Sequence, residues 1–257
     1  VGEQGVRDPF LVQNPETGRV YMIATDLCIA RSDWGKAQTR GSKSLVVWET
    51  DDMTDWKGPR LVRVATDESG CTWAPEAIWD AKSKDFFVFW ASMGTIDGIR
   101  KQRIFSARTK DFQTFTPARL YIEKPNHIID TDIVEDNGVY YRFSKDETVK
   151  SIIMERSDSL EGDWTPVDAF PSGQVLGYEG PQCYRLNDGT ARWCLLLDYF
   201  SKGKGYQAFL ADDLASGDFK PAPGVLSFPY PFRHGGVLPL SKKEYEAVVK
   251  KWGDSKR

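Results

Sequence analysis

The chain has little histidine, little cysteine and no long apolar run. Two histidines and four cysteines occur in 257 residues, and no two cysteines form C-x-x-C. That usage argues against a zinc site. No stretch approaches the roughly 20 apolar residues that a membrane-crossing helix needs. Neither sign of charge dominates: 34 Lys and Arg against 37 Asp and Glu leave a net −3. The absence of a basic patch argues against nucleic acid and anionic membrane surfaces as partners. The chain opens on Val1 rather than Met and shows no signal-peptide pattern, as expected of a mature or trimmed protein. Cys183 and Cys194 flank "LNDGTAR" and can face each other across a hairpin. Buried free thiols are the favoured reading for all four cysteines.

Turn formers and aromatics are plentiful: 22 Gly, 14 Pro, 9 Trp and 10 Tyr. Two patterns repeat. In the first, an alternating β-type run is followed by Asp, a spacer and an aromatic: "SLVVWETDDMTDW", "RIFSARTKDFQTF", "SIIMERSDSLEGDW" and "YQAFLADDLASGDF". The closing aromatics are Trp56, Phe115, Trp164 and Phe219. In the second, offset from the first, two strand-like runs flank the turns "NPETG", "DAKSKD", "EDNG" and "LNDG". These turns are hairpin signals. Together they define a unit of roughly 50 residues, and strand-built repeats of that length form β-propellers. The closing aromatic of each unit is expected between blades. Four units leave residues 220–257 for a shorter fifth, in which "FRHGGVLPLS" reads as a strand. After it, Tyr245, Val248, Val249 and Trp252 fall at helical spacing, so a helix near 242–252 is expected to pack on the propeller. The expectation is a single all-β domain over 1–257, a five-bladed propeller. In-phase repeats weigh against a pair of β-sandwiches.

Each unit of the second pattern opens on a carboxylate: Asp8 in "RDPF", Glu76 in "WAPEAI", Asp130 in "IIDTDI" and Glu179 in "YEGPQ". The first strand of each propeller blade lines the central channel, so residues distant in sequence converge at one end of it. Converging acids repel and raise one another's pKa, which is costly unless chemistry uses it. They can bind a metal. They can also hydrolyse a glycosidic bond, with one protonated acid and one ionised base or nucleophile. Phe10, Trp73 and Tyr178 lie close in sequence to these acids and suit a sugar face. Ordinary turn chemistry explains any one of these acids, but less easily all four at equivalent positions.

At these residues the sequence resembles family 43 glycoside hydrolases. The resemblance rests on "DP" at Asp8, "WAPE" at Trp73 to Glu76, "IDT" at Ile129 to Thr131, "EGP" at Glu179 to Pro181 and "RHG" at Arg233 to Gly235. It spans about Arg7 to Tyr245. It implies a five-bladed propeller of inverting enzymes. Asp8 would be the general base, Glu179 the general acid, and Asp130 the residue that orients that acid and raises its pKa. Asp130 is preferred to Asp132 because it follows Ile129. The resemblance further implies that His234 sits near the channel centre and helps hold a calcium ion through water; a hydrogen-bonded core histidine is the other reading. No cofactor is required, and a structural calcium ion at the propeller centre is admitted. Asp26, Trp73, Glu76, Tyr178 and Arg233 are candidate sugar contacts, with Trp34 and Gln38 from the long loop "TDLCIARSDWGKAQTRGSKS". A loop of that length would rim a pocket and restrict attack to chain ends.

The expected activity is release of terminal furanosyl residues, α-L-arabinofuranose first, from plant-type polysaccharides or oligosaccharides. The alternatives are a β-D-galactofuranosidase, a β-xylosidase, a galactanase, or a propeller that binds glycans without cleaving them. Interaction propellers are disfavoured because their Gly-His…Trp-Asp or double-glycine signatures are missing, and a sialidase because "DDMTDW" lacks its box glycine. The expected partner is carbohydrate, with no nucleic acid or membrane. The protein is expected to be a monomer, secreted or periplasmic on the strength of the substrate class.

Overall fold

The structure, a computed structural model, describes residues 5–253. The second sequence pattern forms the inner hairpins. These are β1 (Arg7–Gln13) with β2 (Val20–Thr25), β5 (Trp73–Asp80) with β6 (Asp85–Ile96), β9 (Ile128–Asp136) with β10 (Val139–Asp146), and β13 (Glu179–Arg185) with β14 (Trp193–Asp198). The first pattern adds the outer pairs: β3 (Ser44–Thr50) with β4 (Lys57–Arg63), β7 (Ile99–Thr109) with β8 (Arg119–Ile122), β11 (Ser151–Ser157) with β12 (Thr165–Pro166), and β15 (Tyr206–Ala211) with β16 (Lys220–Pro221). Each set of four makes one antiparallel sheet in chain order. The inner strands stand side by side, β1 by β5, β5 by β9 and β9 by β13.

The turns form for local reasons. In the "EDNG" turn Asn137 and Gly138 both take positive φ, as a two-residue hairpin turn requires. In the first two units the Asp of the first pattern forms an Asx turn. Asp52 Oδ1 accepts from the Thr54 and Asp55 N–H groups at 2.8 Å, and Asp111 Oδ1 accepts from Gln113 and Thr114. The run "FFVFW" in β6 is buried on both faces, because its sheet is sandwiched between two neighbours. Each such side chain contributes about 1.5–3 kcal/mol on burial. Phe219 packs edge-on to Phe143 between the third and fourth sheets, and Phe115 and Trp164 close the other two junctions. Trp56 instead donates to the Met53 carbonyl of its own turn. The four cysteines are free.

The architecture is an all-β propeller, but among the described residues it has four blades, not five. Residues 222–241 contain no strand. Pro223, Pro229, Pro231 and Pro239 remove the N–H donors that a ladder needs. The segment forms a strap instead. Its Leu226 and Val237 cover the face of the fourth sheet turned away from the third, against Cys194, Leu196 and Tyr206. Tyr206 donates through its N–H to the Phe232 carbonyl and through its hydroxyl to the Gly235 carbonyl, both at 2.8 Å. The Val237 N–H donates to Gln182 Oε1 at 3.1 Å. On its other side the strap touches β1, where a Cβ on Gly236 would lie 2.9 Å from the Leu11 nitrogen. The strap therefore bridges the fourth and first blades.

Two helices complete the fold, α1 (Trp34–Thr39) in the long loop and α2 (Lys242–Trp252) after the strap. Ser241 and Glu244 form a capping box at the start of α2. The helix lies where its periodicity places it, but its apolar stripe is not packed away. Tyr245, Val249 and Trp252 are exposed, and α2 is tied to the first blade through Gln13–Glu244 and Asp55–Lys251.

Candidate active site

All four inner strands break register at the same place. At the breaks sit Asp8, Ala74, Asp130 and Gly180, with φ of 49°, 44°, 45° and 55°. A positive φ at a non-glycine residue costs of order 1–3 kcal/mol and collects at functional sites. This geometry corrects the equivalence expected from sequence. The counterparts of Asp8 and Asp130 are Ala74 and Gly180, not Glu76 and Glu179. Glu179 stands one residue before the break and Glu76 two residues after it.

The breaks sort the side chains into levels. Arg7, Trp73, Ile129 and Glu179 precede the break and face the cavity. Asp8 and Asp130 join Glu179 and His234 around a floor of about 90 Å³. Glu76, Asp132 and Gln182 follow the break and lie buried beneath. Asp8 Oδ2 accepts from the Thr25 hydroxyl at 3.0 Å, and Asp130 Oδ2 accepts from the Gly180 N–H at 3.2 Å. His234, carried by the strap, stands centrally. Its Nδ1 is 3.7 Å from Asp8 Oδ1 and 3.9 Å from Asp130 Oδ2, and its Nε2 is 3.9 Å from Glu76 Oε1.

The electrostatics separate the acids. Burial pushes Asp130 up to about 6, reinforced by the charges of Glu179 and Asp8 and opposed by His234 and Lys145. Burial also acts to raise Glu179, but Lys145 at 2.8 Å and Arg233 at 3.1 Å outweigh it and hold the carboxyl below its usual range. The shifts run opposite to the expectation: the charge of Glu179 acts to raise Asp130, while Lys145 and Arg233 lower Glu179 itself. Beneath them, burial raises Asp132 to about 6 and Glu76 well above the carboxylate range, with the charge of Asp132 adding to the rise at Glu76. Gln182 Nε2 donates to both, at 3.2 and 3.3 Å, and the Cys183 N–H donates to Asp132 at 2.6 Å.

Residues 1–246 match the family described as a probable glycosyl hydrolase domain, a relative of family 43. The chain belongs to this glycosyl hydrolase family. It is 31% identical over 222 residues to an alpha-L-arabinofuranosidase of Bifidobacterium longum, an alignment covering 71% of this chain and 21% of that protein. The chain thus spans about a fifth of the length of this curated relative. Among solved structures, the endo-arabinase of Bacteroides thetaiotaomicron superposes with a TM-score of 0.61 at 18% identity, over 88% of this chain and 82% of that one. The sucrose-6-phosphate hydrolase of Lactobacillus gasseri gives 0.63 at 16% identity, over 84% and 47%. These two likenesses show the shared propeller fold.

Above the floor of this hydrolase domain opens a cavity of about 760 Å³. The candidate contacts Trp73, Trp34, Gln38 and Arg233 line it. Asp26, Glu76 and Tyr178 do not. Asp26 is buried and accepts from the Gly5 N–H at 3.4 Å. Glu76 belongs to the buried carboxyl pair. Tyr178 stacks on Tyr199 at 4.1 Å and packs among the core residues of the third and fourth blades. The helix α1 that presents Trp34 and Gln38 starts on Asp33, whose Oδ1 accepts from the Lys36 N–H at 2.8 Å. The loop is pinned by a ladder in which Gly41 N–H donates to Gly70 O and Gly70 N–H to Met93 O.

Sequence reasoning missed Arg7, Gln102, His127, Lys145, Glu147, Lys150 and Phe200, all on the cavity wall. For Lys145 the only signal is its place in "YYRFSKD", in a strand end next to Glu179. The calcium ion implied near His234 would be held through water rather than by direct ligands. Among the described residues no three His, Cys, Asp or Glu side chains are grouped as ligands. Asp8 and Asp130 each accept through one oxygen, from Thr25 and Gly180, and Asp132 accepts through both, from Gln182 and Cys183. No step below is routed through a metal.

Proposed function

We propose that this domain is an inverting, exo-acting hydrolase that releases terminal α-L-arabinofuranosyl residues. The observation that carries the reading is the convergence of Asp8, Asp130 and Glu179 on one small floor beneath a deep cavity. The floor suits one sugar ring, and the likeness to an arabinofuranosidase favours arabinose among furanoses. Asp8 serves as the base that deprotonates water, and Glu179 as the acid that protonates the leaving oxygen. Lys145 and Arg233 hold Glu179 low in the free protein, so this role requires bound substrate to desolvate the carboxyl and raise its proton affinity. Asp130 holds the backbone next to Glu179 through Gly180 and keeps the acid aimed. Inversion needs the attacking water between base and sugar, with carboxyls about 6.5–9.5 Å apart. The protein acts as a monomer on glycans outside the cytoplasm.

The test is hydrolysis of nitrophenyl α-L-arabinofuranoside, β-D-galactofuranoside, β-D-xyloside and β-D-galactoside, with the product anomer read by NMR. Turnover of the arabinofuranoside with inversion, lost in Asp8→Asn, is the expected result. Retention of configuration, or undiminished turnover in that variant, would overturn the assignment.

A further inference from the structure

Four cations line the cavity: Arg7, Lys145, Lys150 and Arg233. Three are committed. Lys145 holds Glu147 at 2.7 Å and Glu179 at 2.8 Å, Lys150 pairs with Glu147, and Arg233 spans Asp198 and Glu179. Arg7 forms no ion pair among the described residues. Its guanidinium lies over the Trp34 ring, 5.2 Å from the centroid, and Trp34 is braced edge-on by Trp73 at 6.0 Å. The two carboxylates of the outer wall, Glu147 and Glu179, are already matched by lysines. Among the described residues the outer wall thus offers one prepositioned cation without an ion-pair partner, while its two carboxylates already have theirs.

Its place matters as much as its charge. Arg7 directly precedes Asp8 and borders both the floor and the outer cavity. The floor holds about 90 Å³ and the outer cavity about 760 Å³. A furanosyl ring on the floor leaves the rest of the glycan in the outer space, within reach of Arg7. Guanidinium matches carboxylate with two parallel N–H···O bonds, and stacking on an aromatic face fixes the fork beforehand. Neutral sugar hydroxyls use that geometry less fully. Trp34 is 53% exposed, leaving aromatic surface for the apolar face of a sugar ring beside the charge.

We propose that the cavity selects an acidic glycan, with Arg7, seated on Trp34, pairing with the carboxylate of a uronic acid residue held in the outer cavity. The inference rests on the glycosidase reading and adds a substrate class to it.

The experiment compares an arabinofuranosyl oligosaccharide bearing one uronic acid with the same oligosaccharide after reduction of its carboxyl to the alcohol. The ratio of the two kcat/KM values is the readout, so any general loss of activity in a variant cancels. A ratio of about 10 or more in the native protein is expected from one charge-assisted pair. It should fall toward 1 in Arg7→Gln, be partly kept in Arg7→Lys, and shrink as salt rises. A native ratio near 1, or a high ratio that survives Arg7→Gln, overturns the proposal. Turnover of nitrophenyl arabinofuranoside tests the glycosidase reading separately. If no substrate is cleaved, calorimetric binding of the same two oligosaccharides decides: preference for the acid that Arg7→Gln abolishes supports the pairing, and equal binding removes it.

Discussion

Gly180 lies against His234. A Cβ built on Gly180 would fall 2.6 Å from His234 Cγ and 2.8 Å from its Cδ2, both far inside contact distance. The positive φ is not what demands glycine here, because Asp8, Ala74 and Asp130 take the same conformation with side chains. The imidazole does. Gly180→Ala should push His234 away from Asp8 and Asp130 and tilt Glu179, the adjacent residue. Expected are a loss of about 1–3 kcal/mol in thermal unfolding and a fall in kcat of about tenfold or more. A variant with native kcat would show that His234 need not be where it is.

Asp8 and Glu179 should respond differently to the leaving group. Glu179→Gln removes proton donation, worth about 10²–10⁴-fold. The loss should be severe on oligosaccharides and mild on a dinitrophenyl glycoside, whose leaving group departs unprotonated. Asp8→Asn should slow both alike. Equal leaving-group dependence in the two variants would reverse or void the assignment.

Lys145 bears on the pH profile. It is buried, and its own pKa is raised because Asp130 and Glu179 outweigh the burial that would lower it. Its charge is the main force holding Glu179 down against burial. In Lys145→Met the pKa of Glu179 rises, so the protonated acid persists to higher pH. The alkaline limb of kcat should move upward, measured on a substrate with a poor leaving group. Loss of a buried ion-pair partner should also cost about 3 kcal/mol in stability. An alkaline limb that moves down would contradict the ion-pair account.

Glu76 makes a stability prediction. Its folded-state pKa is raised, chiefly by burial and then by Asp132. A carboxyl raised on folding binds its proton more tightly in the native state, so its contribution is full at low pH and lost as pH rises through the folded value. Asp132, raised to about 6, acts in the same direction between about pH 4 and 6. In Glu76→Gln the amide replaces the protonated carboxyl and can donate to Asp132 at every pH. The variant should match the native protein near pH 5 and exceed it above neutrality in thermal melts. Parallel melting curves across pH would mean that the pair carries no such linkage.

The hairpins, their turns and the repeat were legible in the sequence because alternation, Asn-Gly and the Asp-to-aromatic spacing are local. The register of the inner strands was not. Carboxylates drew Glu76 and Glu179 into line with Asp8, whereas the prolines Pro9, Pro75 and Pro181 mark the residue after the break and give the observed alignment. Asp130, followed by Thr131, hides that mark in the third blade. The fifth blade was over-read because "GGVLPL" is apolar enough for a strand, while the prolines around it decide otherwise. Asp26 and Tyr178 looked like contacts because they neighbour the inner strands in sequence, but their side chains turn into the protein. Arg7 and Lys145 carried no pattern of their own; only the closing of the ring brings them to the cavity.

The strap that stands in for a blade ties the site to the closing of the ring. Among the described residues all sixteen strands precede residue 222, whereas Arg233 and His234 follow it. The residue that pairs with Glu179 and the one that stands among the floor carboxylates are therefore carried by no sheet, only by the strap. The same short segment thus fastens the fourth sheet to the first and supplies the cation and the imidazole of the floor, so closure of the ring and completion of the site are a single folding event.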